Sequence, residues 1–248
     1  MRTTGGEKNG LTGGATHSPA IWIYRPDDRR EEVDVEVELD FRGNGFMTSS
    51  IPNYNGRWRI HIDPKLPYNK YSSTYVDDAW VPYLDYDGFR DGTFQTTHGW
   101  FVENDSAKLV EWHRATLNEY GFNETEIDDI NVSYVRMLLD RQYKDTYFAI
   151  YPQNKTIVDA SVSLKVTPKP DSVSRLWLYF VPVKARSALL SPPGIEKVKR
   201  KGYAVIELAY LTDREIPKVI SDKSPEGERF LSHAGAPLLN GALRNHLK

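Results

Sequence analysis

The chain has 248 residues, of which 40% are hydrophobic and 12% aromatic, so it can bury a substantial core. Its net charge of −2 and its isoelectric point near 6.3 give it no general attraction to nucleic acid or to an anionic membrane. It contains no cysteine, which excludes disulfides, thiolate metal sites and cysteine nucleophiles. The longest apolar run, residues 176–181, is too short to span a bilayer, so no transmembrane segment is expected.

The N-terminal part of the chain is predicted to be an arm followed by a short strand. Residues 1–19 are rich in glycine and threonine and show no periodicity, which is typical of a flexible arm. Residues 20–24 are apolar and end at the turn signal of residues 25–28. The N-terminus lacks the apolar core of a signal peptide, which fits a cytoplasmic protein, an assembly-associated one or the mature form of a secreted one, and the localisation stays open.

Residues 32–41 carry the clearest pattern in the chain. Apolar and acidic residues alternate strictly there: Val33, Val35, Val37, Leu39 and Phe41 against Asp34, Glu36, Glu38 and Asp40. A period of two predicts a half-buried strand with one face toward the core and the carboxylates toward solvent. We expect this strand to be the one against which the others pair, and we interpret its acids as a solvated face rather than as catalytic carboxylates.

Three more strands are expected before any helix, at residues 58–62, 80–86 and 99–102. The first and second are separated by a polar, tyrosine-rich stretch, residues 68–79, which is interpreted as a long loop. The second runs into residues 85–92, where glycines interrupt a series of aspartates, and this pattern predicts an acidic turn.

The period then changes to that of a helix. Leu109, Trp112, Leu117 and Tyr120 recur at helical spacing between possible N-caps at residues 104–106 and a glycine at position 121. A second helix is predicted to begin at once, because Asn123 followed three residues later by Glu126 forms a capping-box pattern. We therefore expect an αα-hairpin over about residues 105–144.

Strands resume after the hairpin, at residues 146–151, 162–166, 176–183 and 203–211, and the third of these is apolar enough to be central and covered on both faces. This order predicts a mainly β, α+β fold: an antiparallel β-sandwich with an inserted αα-hairpin. We expect residues 20–183 to form the domain, residues 184–212 to add a loop and a final strand to it, and residues 213–248 to form an extended tail.

The motifs of this chain resemble those of an uncharacterised, mostly bacterial, lipoprotein-like family. The resemblance covers about residues 20–183 and rests on these blocks in this order: Ile21-Trp22-Ile23-Tyr24-Arg25-Pro26, the alternating strand at residues 33–41, Pro52-Asn53-Tyr54-Asn55-Gly56-Arg57-Trp58, Tyr83-Leu84-Asp85-Tyr86-Asp87-Gly88, Gly99-Trp100-Phe101-Val102, residues 121–130, Tyr134-Val135-Arg136-Met137-Leu138, residues 147–151, and Pro170-Asp171-Ser172 with Arg175-Leu176. The chain departs from the family in lacking its lipobox cysteine, in having Val135 in place of a tryptophan, and in its tail beyond residue 183. The resemblance implies that residues 20–183 form one domain, and it implies no activity.

Two kinds of binding site are compatible with the residues between 68 and 91. Asp85, Asp87 and Asp91 supply the oxygen ligands that calcium prefers, but their spacing does not fit an EF-hand loop, and a solvated turn is favoured over a metal site. Apart from this possible calcium no cofactor is expected. Five aromatic residues of the same region are candidates for stacking on sugars or for a protein interface: Tyr71, Tyr75, Trp80, Tyr83 and Tyr86.

No familiar catalytic motif is present, and three functions stay open. We expect a non-enzymatic structural or interaction protein whose terminal arms contact protein neighbours in an assembly or homo-oligomer, without nucleic acid. The first alternative is a carbohydrate- or calcium-binding module using residues 68–91. The second alternative is a metal-dependent hydrolase that brings His61, Asp63 and His98 to the acidic turn.

Overall fold

The structure is a computed structural model that describes residues 13–24, 33–62, 74–76, 79–130, 147–186, 194 and 196–212. Its strands are β1 (Gly13–Tyr24), β2 (Val33–Phe41), β3 (Phe46–Ile51), β4 (Trp58–Ile62), β5 (Thr74–Val76), β6 (Ala79–Val81), β7 (Leu84–Asp91), β8 (Trp100–Glu103), β9 (Tyr147–Gln153), β10 (Val162–Thr167), β11 (Ser172–Val183) and β12 (Ala204–Thr212). Its helices are α1 (Ser106–Tyr120), α2 (residues 124–130) and α3 (Lys155–Ser161).

The strands form two sheets that do not close into a barrel, which confirms the mainly β, α+β sandwich. The seven-stranded sheet has the order β3-β7-β1-β12-β11-β9-β8, and the five-stranded sheet has the order β10-β2-β4-β5-β6. One hydrophobic core lies between helices α1 and α2 and the larger sheet. A second core lies between the two sheets, so the molecule has three layers.

Strand β12 lies in the middle of the larger sheet and is buried along its whole length. Because side chains alternate across a strand, Ala204, Ile206 and Leu208 belong to the core under the helices, whereas Val205 and Ala209 belong to the core between the sheets. This burial on both faces explains the nearly continuous apolar sequence of the strand.

Strand β2 has the predicted apolar face toward the core and the predicted acidic face toward solvent. Val35, Val37 and Leu39 are buried against the larger sheet, whereas Asp34 and Asp40 are exposed. The strand is not the spine of the whole fold, however, because it pairs only with β4 and β10 in the smaller sheet, and β12 holds the central position. The central position of β12 cannot be recognised from the sequence, because a strand buried on both faces shows no alternation of apolar and polar residues.

The acidic face of β2 is paired with basic side chains on both neighbouring strands or beside them. Glu36 accepts hydrogen bonds from Arg57 at 2.8 Å and Arg59 at 3.2 Å, and Glu38 accepts one from Lys165 at 2.8 Å. These pairs are solvent-exposed, so each adds little to stability. Glu36 and Glu38 therefore lie beside basic side chains and do not form an isolated row of like charges.

Two segments differ from the sequence prediction because tertiary pairing overrides local composition. Strand β1 begins at Gly13, so residues 13–19 lie in a strand rather than in an arm, and they pair with β12 on one side and β7 on the other. The predicted acidic turn at residues 85–92 is the strand β7 with its following residue. Every second residue of β7 is buried, and two of these buried positions are Gly88 and Arg90. Because buried positions are expected to be apolar, the period of two cannot be recognised in the sequence.

Two further differences concern elements that carry no clear sequence signal. Strand β3, strand β5 and the short helix α3 are not predicted, and β5 lies within the predicted loop at residues 68–79. Strand β11 pairs with β12 in parallel, so the sandwich is not wholly antiparallel. The predicted tail at residues 213–248, residues 1–12 of the predicted arm and the end of the predicted hairpin all lie outside the described residues.

The first helix and the start of the second follow the predicted capping signals. Asp105 is the N-cap of α1 and accepts hydrogen bonds from the backbone N–H groups of Ala107 and Lys108. Gly121 ends α1 with φ +89°, a left-handed conformation that favours glycine. At the start of α2 the Asn123 and Glu126 side chains each accept the other's backbone N–H at 2.9 Å, which is the predicted capping box. No helix in the described part of the chain is long and apolar enough to cross a membrane.

Candidate functional site

The three carboxylates of the predicted calcium site do not converge. Asp85, Asp87 and Asp91 lie along β7, where a six-residue separation corresponds to about 20 Å. Asp87 accepts a hydrogen bond from Ser49 at 2.9 Å, and Asp91 accepts two from Asn44 at 3.0 and 3.1 Å. Within the described ranges no group of three or more histidine or carboxylate side chains could hold a metal ion. The three residues were expected in a turn and instead belong to a strand.

The five predicted aromatic binding residues fall into different environments. Tyr86 is fully buried between the sheets, and Tyr83 packs against Trp22 with ring centroids 5.7 Å apart. Tyr75 and Trp80 are direct partners in the pairing of β5 with β6. Tyr71 lies outside the described residues.

The residues of the predicted hydrolase site are distributed over both sheets. His61, on β4 of the smaller sheet, lies 3.1 Å through its Nδ1 from Asp34 Oδ1. His98 precedes β8 of the larger sheet in a loop that Gln95 holds, since His98 N–H donates to Gln95 Oε1 at 3.1 Å and its carbonyl accepts from Gln95 Nε2 at 2.9 Å. Asp63 lies outside the described residues.

A charge cluster that the sequence did not reveal lies between the two sheets. Glu207 accepts hydrogen bonds from the Tyr86 hydroxyl at 2.5 Å, from the Trp177 indole at 3.3 Å and from Arg175 Nε. The side chains of Arg175 and Glu207 have no exposed surface. Arg90 is also fully buried beside them. We call Arg90, Arg175, Glu207, Tyr86 and Trp177 the core charge cluster.

The electrostatics of the core charge cluster keep its arginines charged. Burial lowers the pKa of Arg175, but the neighbouring Glu207 carboxylate more than reverses this effect and the pKa is raised. Arg175 also donates from Nη1 to Asp159 at 2.7 Å and to the carbonyl of Val162 at 2.6 Å. Burial lowers the pKa of Arg90 to about 10, which still leaves it protonated at neutral pH.

A second buried carboxylate, that of Glu126, connects the helical layer with the loop that contains Arg200. Glu126, which caps α2, accepts hydrogen bonds from the Tyr24 hydroxyl at 2.6 Å and from both Nη atoms of Arg200. The Arg200 guanidinium also lies 5.3 Å from the centre of the Tyr24 ring. Arg200 belongs to the basic run at residues 197–201, and Val198 of that run donates its N–H to the carbonyl of Tyr120 at 2.7 Å. Glu126 therefore fixes this loop against α1 and α2.

His113 is a buried histidine of the helical layer. Its Nε2 contacts the hydroxyl of Tyr210 on β12, and its Nδ1 has no hydrogen-bond partner. Burial, with a smaller contribution from Arg114, lowers the pKa of His113 to about 4. The imidazole is therefore neutral at physiological pH and packs among the aromatic rings under α1.

Strand β3 forms one end of the seven-stranded sheet, and among the described strands β7 is its only hydrogen-bonded neighbour. Its sequence, Phe-Met-Thr-Ser-Ser-Ile, carries no charge. Phe46 is the one exposed large hydrophobic side chain among the residues whose burial the structure describes, with 40% of its surface accessible. Its ring centroid lies 6.0 Å from that of Phe89 on β7.

Comparison of the chain with protein-family models, with curated proteins and with solved structures gives no match in any of the three. The resemblance to a lipoprotein-like family therefore stays a prediction.

Proposed function

We propose that this protein is a non-enzymatic structural or interaction protein that associates with a second copy of itself through the edge strand β3. The observation that carries the proposal is the uncharged, partly apolar sequence of β3 at the end of the larger sheet. An unpaired sheet edge presents backbone N–H and C=O groups that can pair with another strand.

The other terminal strands of the two sheets carry features that discourage such pairing. Strand β10 has Lys165, whose side chain is 68% exposed, β8 has Glu103, and β6 has three residues only. Charges and short length are the usual protections of an edge. Strand β3 has six residues and neither protection apart from a bulge opposite β7 between Met47 and Ser49.

The bulge gives β3 a pattern that suits antiparallel pairing with its own copy. Phe46, Ser49 and Ile51 lie opposite Phe89, Asp87 and Asp85 of β7, which places them on one face, whereas Met47 and Ser50 lie opposite Gly88 and Tyr86 on the other. When Phe46 faces Ile51 of a second copy, Met47 faces Ser50 and Thr48 faces Ser49. Each pair then combines residues of the same face, and no like charges meet across the ladder.

The functional groups of the described residues support a structural role. Glu207, Glu126 and His113 are the buried carboxylates and histidine, and each contacts core side chains of its own fold. Chemistry on a substrate would require such groups to face a ligand instead. We further expect residues 1–12 and 213–248 to contact neighbours in the assembly.

Sedimentation velocity over a concentration series tests the proposal. A six-residue ladder is smaller than a standard interface, so we expect a reversible dimer with a dissociation constant on the order of 10–100 μM. Phe46→Lys places a charge at the edge and should raise that constant at least tenfold. Asn118→Lys, the same charge on an exposed position of α1, should not change it. A wild-type chain that is monomeric at all concentrations, or an unchanged Phe46→Lys dimer, would contradict the proposal.

One observation favours a carbohydrate-binding module as the second candidate. Tyr75 pairs with His61 on one side and with Trp80 on the other, so two aromatic positions and a histidine occupy one row of the smaller sheet. Aromatic rows on a sheet are suited to stacking on sugar rings. Calorimetry against a panel of oligosaccharides should give heat that Trp80→Ala removes, and the absence of heat with every sugar would exclude this candidate.

A further inference from the structure

The core charge cluster contains hydrogen-bond donors without acceptors. Arg90 Nε, Arg90 Nη2 and Arg175 Nη2 are buried and have no hydrogen-bond partner. Leaving a buried N–H group unpaired is costly, and more so when the group is charged. Unpaired donors of this kind call for a specific acceptor.

The two unpaired nitrogens of Arg90 lie on the same edge of its guanidinium. The N–H bonds of Nε and Nη2 point in the same direction, which is the side-on arrangement with which an arginine binds an anion in a bidentate manner. Its other terminal nitrogen, Nη1, donates a hydrogen bond to the carbonyl of Phe89 at 3.3 Å. The anion-binding edge of Arg90 is therefore left without an acceptor.

The guanidinium of Arg90 lies among aromatic rings, and within the described residues it makes no direct ion pair with a carboxylate. Its guanidinium carbon lies 4.2 Å from the ring centre of Phe41, 4.9 Å from that of Tyr86 and 5.4 Å from that of Trp177. Glu207, the buried carboxylate of the cluster, receives its charge-assisted hydrogen bond from Arg175 and not from Arg90. Arg175 is thus paired both with Glu207 and with the partly exposed Asp159, whereas Arg90 has no carboxylate of its own among the described residues.

We propose that the core between the sheets binds a small monovalent anion, of which chloride is the abundant example, on the Nε/Nη2 edge of Arg90. An anion on this edge would give Arg90 a charged partner, as Glu207 and Asp159 do for Arg175, and an anion accepts two parallel N–H groups better than a neutral water does. Because Arg90 is fully buried, the inference is restricted to a halide-sized anion and does not extend to a phosphate ester or a peptide carboxylate. This inference concerns the core of one chain and is independent of pairing through β3.

Thermal unfolding at constant ionic strength tests the proposal. Sodium chloride or sodium bromide should raise the Tm of the wild-type chain relative to sodium gluconate, by about 3 °C once the halide exceeds its dissociation constant tenfold. Arg90→Met should abolish the difference between chloride and gluconate. Arg114→Met, which removes an exposed arginine paired with Asp128, should preserve it. Equal Tm values in the three salts would overturn the proposal.

A bromide-soaked crystal of the wild-type chain makes the test independent of how well the variant folds. The proposal requires an anomalous peak within hydrogen-bonding distance of both Arg90 Nε and Arg90 Nη2. Solvent density without anomalous signal at that position would mean that water alone satisfies these donors and would overturn the proposal.

Discussion

Arg175 and Glu207 are direct partners in the parallel pairing of β11 with β12, and Arg175 Nε donates a hydrogen bond to the Glu207 carboxylate. Neither side chain has exposed surface. A buried ion pair costs desolvation and does not by itself stabilise a fold, but the loss of one partner leaves the other charge unpaired. The pair therefore favours one particular alignment of these two strands.

Glu207→Leu should be strongly destabilising. It removes the carboxylate that accepts from Arg175, Tyr86 and Trp177, and the expected loss is about 3–5 kcal/mol in the free energy of unfolding. Urea unfolding followed by circular dichroism measures this loss. Glu103→Leu, which breaks an exposed pair with Lys108, should leave the stability nearly unchanged. Equal losses in the two variants would show that the core pair has no special role.

Glu126→Ala should release the loop around Val198 as well as destabilise the fold. The variant loses the α2 capping interaction and the buried contacts with Tyr24 and Arg200, for an expected cost of about 2–4 kcal/mol. Hydrogen exchange at the Val198 N–H should accelerate more than exchange in β12. The matched control is Glu124→Ala on the same helix, whose exposed carboxylate pairs with Arg114. If exchange at Val198 does not respond, Glu126 does not hold the loop.

Stability should fall with pH below about 6.5 in a way that depends on His113. Its pKa is about 4 in the folded chain and about 6.5 when unfolded, so the unfolded state binds the proton more readily between these values. The stabilisation is complete above pH 6.5 and is lost as the pH falls toward 4, by about 3 kcal/mol. Comparison with His113→Gln separates this contribution from that of the carboxylates. Parallel pH profiles of the two chains would contradict the buried neutral imidazole.

Gly88→Ala should disturb the contact between β7 and β3. A Cβ at this position would lie 2.5 Å from the carbonyl oxygen of Phe46 and 2.6 Å from Arg90 Nη1, so the backbone of β3 must move. We expect a loss of about 1–3 kcal/mol, measured by thermal unfolding. Gly194→Ala is the control, because a Cβ there meets nothing within 4 Å. A neutral Gly88→Ala variant would mean that β3 is not tightly packed on β7.

Local signals predicted the elements that are amphipathic or capped. The alternation of β2, the helical spacing of Leu109 and Leu117 in α1, and the Asn123–Glu126 capping box all have the predicted structure. These signals depend on neighbours within a few residues, so the sequence contains them. The part of β7 beyond Tyr86 was missed because Gly88 and Arg90 occupy its buried face, and their partners lie on distant parts of the chain.

The buried charges show why the candidate sites could not be predicted from the sequence. Glu207 lies in an otherwise apolar strand, and Arg175 directly precedes an apolar run. A single charge within a fully buried strand is a signal of a buried pair, but its partner can be identified only once the strand order is known. The predicted aromatic binding site instead included residues such as Tyr86, whose side chain is buried in the core.

Disulfide trapping tests the central claim of pairing through β3 most directly, because the chain has no cysteine of its own. In the proposed ladder Thr48 lies opposite Ser49 of the second copy, which brings the two Thr48 Cα atoms to about 6 Å, within the range of a disulfide. Thr48→Cys should therefore give a disulfide-linked dimer rapidly under mild oxidation. Ser163→Cys on the terminal strand β10 of the other sheet should remain largely monomeric. Equal cross-linking of the two variants, or none at Thr48→Cys, would contradict the account.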